Sequence, residues 1–227
     1  MTERGKDRDL GRTGGAAPFI FGVSGHRDLV AADLPELRTQ IQTVYSRFRS
    51  AYPDASLQLL SPLAEGADRL AAELALAGGI RLFVPMPMAQ AEYERDFSSA
   101  TSLGEFRRLL AAAELSWEVS DEIEPTKRRL SDSDARARKY AAVGDYIARK
   151  SHVLLLLWDG RDNEKIGGTA WVKKRREYWI EAAKKGGSEP DGFGYVRTIQ
   201  IVTPRVTVAR STQERLRVEI IGDLPAD

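Results

Sequence analysis

The 227-residue sequence contains no cysteine. That excludes disulfides, thiolate nucleophiles and cysteine-based metal sites, and it suits a reducing compartment. Histidine is nearly as scarce. The two present, His26 and His152, stand far apart without neighbouring ligands, and Asp159 with Asp162 does not specify a magnesium site. No structural metal and no cofactor is expected. Long apolar runs are also lacking: none approaches the length that spans a bilayer, and the opening "MTERGKDRDLGRTGGAA" has no apolar centre of a signal peptide. A cytoplasmic protein is expected, with residues 1–17 as a disordered tail. Net charge is lacking as well, since 34 basic and 33 acidic side chains leave +1. Global charge therefore points to no nucleic-acid or membrane partner, and no basic stripe with interleaved aromatics stands out. Nucleic acid is not expected as a partner. Two catalytic signatures are missing: Ser24 and Ser61 lie in no Gly-x-Ser-x-Gly elbow, and "GVSGHRD" lacks the third glycine of the dinucleotide fingerprint.

What is present is a 42% apolar chain, enough for a substantial core, in which short apolar runs alternate with segments of helical period. That pattern predicts an α/β protein, a Rossmann-like three-layer sandwich on a mostly parallel sheet. Strands are expected at "FIFGV" (19–23), "LQLL" (57–60), "IRLFVPMP" (80–87), "LSWEV" (115–119), "HVLLLLW" (152–158) and "VRTIQIV" (196–202). The run at 152–158 is too continuously apolar for anything but a strand covered on both faces. Pro85 and Pro87 should end the third strand as it leaves the sheet. Helices are expected from Leu34 through Phe48, from Ala67 through Leu74, over 101–113, around Tyr140 to Ile147, and after Gly168. Asp33 with Glu36 reads as a capping box at the first helix. Residues 18–209 form the predicted domain, with 120–139 as a mobile insertion or lid and 210–227 as a C-terminal extension.

In an open parallel sheet ligands gather beyond the carboxyl ends of the strands. Four loops leave at that edge: "SGHRDL", "SPLAEGADR", "PMPMAQAEYERDF" and "WDGRDNEKIGGT". Glycines at helix starts let backbone approach a phosphate, and the free N–H groups and helix dipole favour the anion. The candidate ligand-binding residues are Ser24, Gly25, His26 and Arg27 in the first loop; Glu65, Gly66, Asp68 and Arg69 in the second; Tyr93 in the third; and Trp158, Asp159, Gly160, Gly167, Gly168 and Thr169 in the fourth. Arg27 could fork onto a phosphate or carboxylate, or simply be exposed. Glu65 and Asp68, three apart, could bind ribose hydroxyls or act as paired carboxylates, or could cap a helix. Gly66 costs roughly 1 kcal/mol against alanine inside a helix, so something should approach its backbone. Tyr93 could stack on a base or pack under its loop. The basic run 173–176 reads best as a solvated face.

Five ordered stretches, "FGVSGHRDL", "SPLAEGADRLAAELAL", "FVPMPMAQAEYERDF", "YAAVGDYIARKSHVLLLLWDG" and "GGTA", resemble bacterial members of the SLOG superfamily. That group unites Rossmann-like domains similar to the DNA-processing protein DprA and the Lonely-guy enzymes. The resemblance covers about residues 19–179. It implies a pocket for a small nucleotide-like ligand at the sheet edge, used in one of two ways. One is sensing of a nucleotide or NAD-derived, ADP-ribose-like signal, including in bacterial signalling and antiphage defence, with a homo-oligomer or a separate effector protein receiving the response. The other is N-glycosidic cleavage of nucleoside phosphates. The cleaving members resemble "PGGxGTxxE", whereas this chain reads "IGGTAWVKKRRE". Gly167, Gly168 and Thr169 match the phosphate-binding part, but Trp171 or Val172 stands in the position of the glutamate. Glu177 lies about 12 Å further along a helix. Binding is therefore expected in preference to catalysis, with no catalytic residue assigned unless Glu65, Asp68, Asp145 or Asp159 replaces the missing acid.

Overall fold

A computed structural model describes residues 17–120, 135–162, 165–186, 194–206 and 224–225. The six expected strands are all present: β1 (Pro18–Gly25), β2 (Ser56–Leu60), β3 (Arg81–Met86), β4 (Leu115–Glu118), β5 (Val153–Trp158) and β6 (Arg197–Val202). They form one sheet in the order β4-β3-β2-β1-β5-β6. Every pairing is parallel, with Phe21 beside both Leu59 and Val153 at the centre. The helices are α1 (Leu34–Ala51), α2 (Ala67–Ala77), the single turn α3 (Gln90–Tyr93), α4 (Ala100–Ala111), α5 (Ala135–Lys150) and α6 (Thr169–Lys184).

The three layers follow from the two-residue period of the strands. Phe19, Phe21 and Val23 of β1 and Leu155 and Leu157 of β5 pack on one face with Leu37, Ile41, Val44 and Phe48 of α1 and Ala71 and Leu74 of α2. Ile20, Leu154, Leu156 and Trp158 point the other way, against Val143 and Ile147 of α5 and Val172 and Trp179 of α6. β5 is buried along its whole length, as the unbroken run "VLLLLW" requires. Each fully buried Leu there contributes about 1.5–3 kcal/mol relative to exposure. Among the described residues, no helix is long and apolar enough to cross a membrane.

Four local expectations are corrected. Asp33 makes no side-chain cap at α1, because a 3-10 turn, Ala31–Asp33, leads into the helix and holds Asp33 in helical rather than extended backbone. Pro85 lies inside β3, in register with Trp117 of β4 and beyond Phe83, the last residue paired to β2. The loop at 90–96 is wound into α3 and a 3-10 turn. The basic run 173–176 is solvated only in its first half: Lys174 is exposed, whereas Arg175 and Arg176 are buried. Arg176 donates to the carbonyls of Ala148, Ser151, His152 and Arg197, fastening the end of α5 to β6, and burial lowers its pKa to about 10. Of the tail, insertion and extension, residues 1–16, 121–134, 207–223 and 226–227 lie outside the described residues; residues 135–139 open α5.

Candidate functional site

The chain builds the sheet outward from β1 to β4, then returns to β5 on the other side of β1. Such a reversal opens a crevice at the carboxyl ends of the two central strands. A cavity of about 520 Å3 lies there, bordered by Ser24–Arg27, Asp68, Tyr93, Tyr140, Trp158 and Gly167–Thr169 among others. Backbone closeness shapes it. A Cβ on Gly25 would meet Ala67 Cβ and stand 2.6 Å from the Leu157 carbonyl. Gly66 has φ +79°, and a Cβ there would sit 2.5 Å from the His26 carbonyl and against that of Arg27. The group that approaches Gly66 is thus the first loop's own backbone. The contact is fixed by a hydrogen bond from the Ala67 amide to the His26 carbonyl, 3.0 Å.

The fourth loop delivers α6 to the cavity. Gly167, at φ +75°, turns the chain close to Tyr140 and Ala141 of α5, and Gly168 is the N-cap, with no side-chain capping bond. The first intrahelical bond runs from Val172 N to Gly168 O. The amides of Thr169, Ala170 and Trp171 precede it and have no carbonyl within the helix to bond. Ser24 Oγ donates to Thr169 Oγ1 at 3.4 Å, joining β1 to this helix start. Among the described residues the lining carries five cationic side chains, Arg27, Arg136, Arg161, Lys165 and Arg205, against the carboxylates Asp68 and Asp96. A helix N-terminus in a cationic crevice is suited to phosphate.

Asp68 stands apart from the other acids. It is buried in the first turn of α2, and its Oδ1 has no hydrogen-bond partner among the described residues. Burial pushes its pKa up to about 7, against the opposing pull of Arg27 and of the Ala64 and Gly25 amides. Trp158 Nε1, on the opposite side of β1, is likewise buried and unpartnered, and both residues line the cavity. An unsatisfied buried polar group costs about 1–3 kcal/mol, and both of these belong to side chains that line the cavity. Asp96 by contrast accepts from the Tyr140 hydroxyl and pairs with Arg136, and Arg27 lies over the Tyr140 ring, 5.5 Å from its centroid.

Several expected residues lie outside the cavity lining. Glu65 accepts from Ser102 Oγ, so it and Asp68 are not a carboxylate pair. Arg69 points into the protein, donating to the Leu63 carbonyl at 3.0 Å and to Ser102 and Glu105. Asp159 and Gly160 form the turn after β5. The Asp159 amide donates to His26 Nε2 at 2.9 Å, and burial lowers the pKa of His26, which matches its role as an acceptor. Tyr93 reaches the wall, but its ring packs on Phe97, Phe106 and Tyr140 and its hydroxyl donates to the Pro62 carbonyl. Of the two residues expected in place of a catalytic glutamate, Val172 lines the cavity with an apolar side chain while Trp171 packs beside Gly144. Sequence reasoning missed Arg136, Tyr140, Lys165 and Arg205. Tyr140 and Gly144 lie on α5, whose small-residue stretch "YAAVG" was the available signal of close approach.

No protein-family model matches the chain, and no curated protein matches it. The solved structures similar to it include two of DNA processing protein A. DNA processing protein A (DprA) from Streptococcus pneumoniae aligns with 78% of this chain at 17% identity and a TM-score of 0.42. The chain spans about half of that protein's length, 53%. DNA processing protein A from Helicobacter pylori, whose title describes a single-stranded DNA binding mode, aligns with 77% of this chain and 75% of its own at 14% identity and a TM-score of 0.44. The fold is Rossmann-like, a six-stranded parallel sheet covered by helices on both faces. One expectation is corrected here. Nucleic acid had been set aside as a partner on charge, yet a solved structure similar to this chain is that of a single-stranded-DNA-binding protein. Net charge averages over a surface on which cations can gather, as they do around this cavity, so the exclusion does not hold.

Proposed function

We propose that the cleft holds a small phosphate-bearing, nucleotide-like ligand, and that the chain acts as a binding or sensing module. The observation that carries this is the placement of the capless α6 start, with Gly167, Gly168 and Thr169, in a cationic cavity at the point where the strand order reverses. A volume near 520 Å3 falls in the range of small-molecule sites, about 300–1,000 Å3. A nucleotide or ADP-ribose-like molecule would rest its phosphate on the Thr169–Trp171 amides and Thr169 Oγ1, and extend across β1 toward Asp68. A response would pass to a second copy or a separate effector. Signalling, including antiphage signalling, is the biological setting such a module suits.

Hydrolysis is the second reading, and one observation favours it. Of the four carboxylates that could replace the missing glutamate, Glu65 is bonded to Ser102, Asp145 to Arg175 and Trp179, and Asp159 sits beside His26. Only Asp68 keeps an unpartnered oxygen at the cavity. Calorimetry with AMP, NAD and ADP-ribose, with chromatography of the same mixtures, tests both readings. Saturable binding without released base supports the sensor, and turnover lost in Asp68→Asn replaces it with an N-glycosidase. No binding by any of the three removes the site.

A further inference from the structure

Resting on that nucleotide-binding reading, we infer that Asp68 is the specificity-determining acceptor of the site: it takes a hydrogen bond from a donor group of the ligand, a sugar hydroxyl or an exocyclic amine. The argument begins with geometry. Asp68 borders the cavity, and its Oδ1 is buried without a partner among the described residues. An acceptor in that state selects a ligand that brings a donor, because an analogue lacking the donor leaves the oxygen buried and unsatisfied. Trp158 supplies the opposite need, a buried indole N–H in the same cavity without an acceptor among the described residues.

The span is also suitable. β1 separates β2, which leads to Asp68, from β5, which leads to α6. Two strand spacings, roughly 9–10 Å, separate the sugar or base end of a ligand from its phosphate end. A phosphorylated nucleoside fits that division, and free phosphate would leave Asp68 unanswered.

Proton release follows from the surroundings. The charged and titratable groups that act on Asp68 are Arg27 of the first loop, Arg69 of its own helix and Tyr93 of α3. Asp96 and Tyr140 line the same cavity but are bonded to each other. Burial outweighs the two arginines, so the carboxyl holds its proton at higher pH than usual, to about 7. A ligand donor stabilises the ionised form, and the proton leaves to solvent.

The test uses the full chain with NAD or ADP-ribose, whichever binds more tightly, since their phosphates stay ionised between pH 6 and 8. Wild-type affinity is expected to rise about 10-fold across that interval for one linked proton. Calorimetry in buffers of different ionisation enthalpy should show proton release near pH 7. Asp68→Asn should bind roughly 10- to 100-fold more weakly at pH 8 and lose the pH dependence. The 2′-deoxyadenosine and hypoxanthine analogues separate the two donor sources: whichever loses affinity in the wild type, and loses nothing further in Asp68→Asn, identifies the group read. Nucleotide binding that is equal in both proteins and flat with pH overturns this inference while leaving the site standing. Absence of binding by the wild type removes the site and the inference together. Should Asp68→Asn fail to fold, the analogues decide on the wild type: affinities for both that equal that of the parent nucleotide overturn the inference.

Discussion

Single residues in the second loop divide the site from its scaffold. Gly66 serves the scaffold, with φ +79° and the carbonyls of His26 and Arg27 against its Cα hydrogen. Gly66→Ala should destabilise the fold by at least about 1–3 kcal/mol from backbone strain alone, read as a lower thermal midpoint with no ligand present. Asp68, two residues on, serves the cavity at a cost to stability. Its folded pKa lies at about 7, above the unfolded value, so between about pH 4 and 7 the folded state holds a proton that the unfolded state has lost. Its contribution therefore worsens as pH rises through that window. Asp68→Asn should be more stable than wild type at pH 8, by a few kcal/mol at most, and the difference should vanish near pH 4. A difference that grows toward acid would contradict the placement of this carboxyl. Arg69, adjacent in sequence, is expected at the ligand as the last residue of the loop "SPLAEGADR". Helical geometry sends it the other way, and the burial that Ser102 and the Leu63 carbonyl make tolerable depends on α4, which no local pattern brings near.

At the scale of elements, the start of α6 is a helix terminus whose structural and binding roles can be separated. Thr169 is the first helical residue, and Gly168 before it is extended at φ −80° and ψ 171°, a conformation that accepts a following proline. Thr169→Pro should therefore leave stability within about 1 kcal/mol of wild type. It removes one amide and one hydroxyl from the cavity, so nucleotide affinity should fall about 10-fold or more by calorimetry. Loss of folding would show instead that Thr169 is a core position. The elements themselves were legible in the sequence because periodicity reports burial: "VLLLLW" could only be a strand covered on both faces, and Leu37, Ile41, Val44 and Phe48 could only be one helix face. The turn before α6 was legible because consecutive glycines mark the start of a helix, and it borders the cavity. The α5 wall was not, since Tyr140 joins the cavity through packing of α5 on α6, a contact between segments with no shared motif. Arg176 was misread for the same reason. Its partners are carbonyls at the end of α5 and in β6, and nothing in "KKRR" says that the two arginines face inward.

For the whole molecule, the reversal of strand order around β1 brings Ser24–Arg27, Asp68 and Gly167–Thr169 together from three distant parts of the chain. A ligand held by all three should tie the two halves of the sheet. At 100 times its dissociation constant it would stabilise the fold by about 2.7 kcal/mol, visible as a raised thermal midpoint that saturates with concentration. The most direct test of the cleft is a nuclear magnetic resonance titration of the 15N-labelled chain with ADP-ribose and NAD, following backbone amides. The amides of Gly168, Thr169, Ala170 and Trp171 should shift in a saturable way together with those of Gly25 to Arg27, while the β4 edge stays unmoved. Saturable shifts confined to another surface, or none at millimolar ligand, would contradict the assignment of this cleft as a nucleotide site.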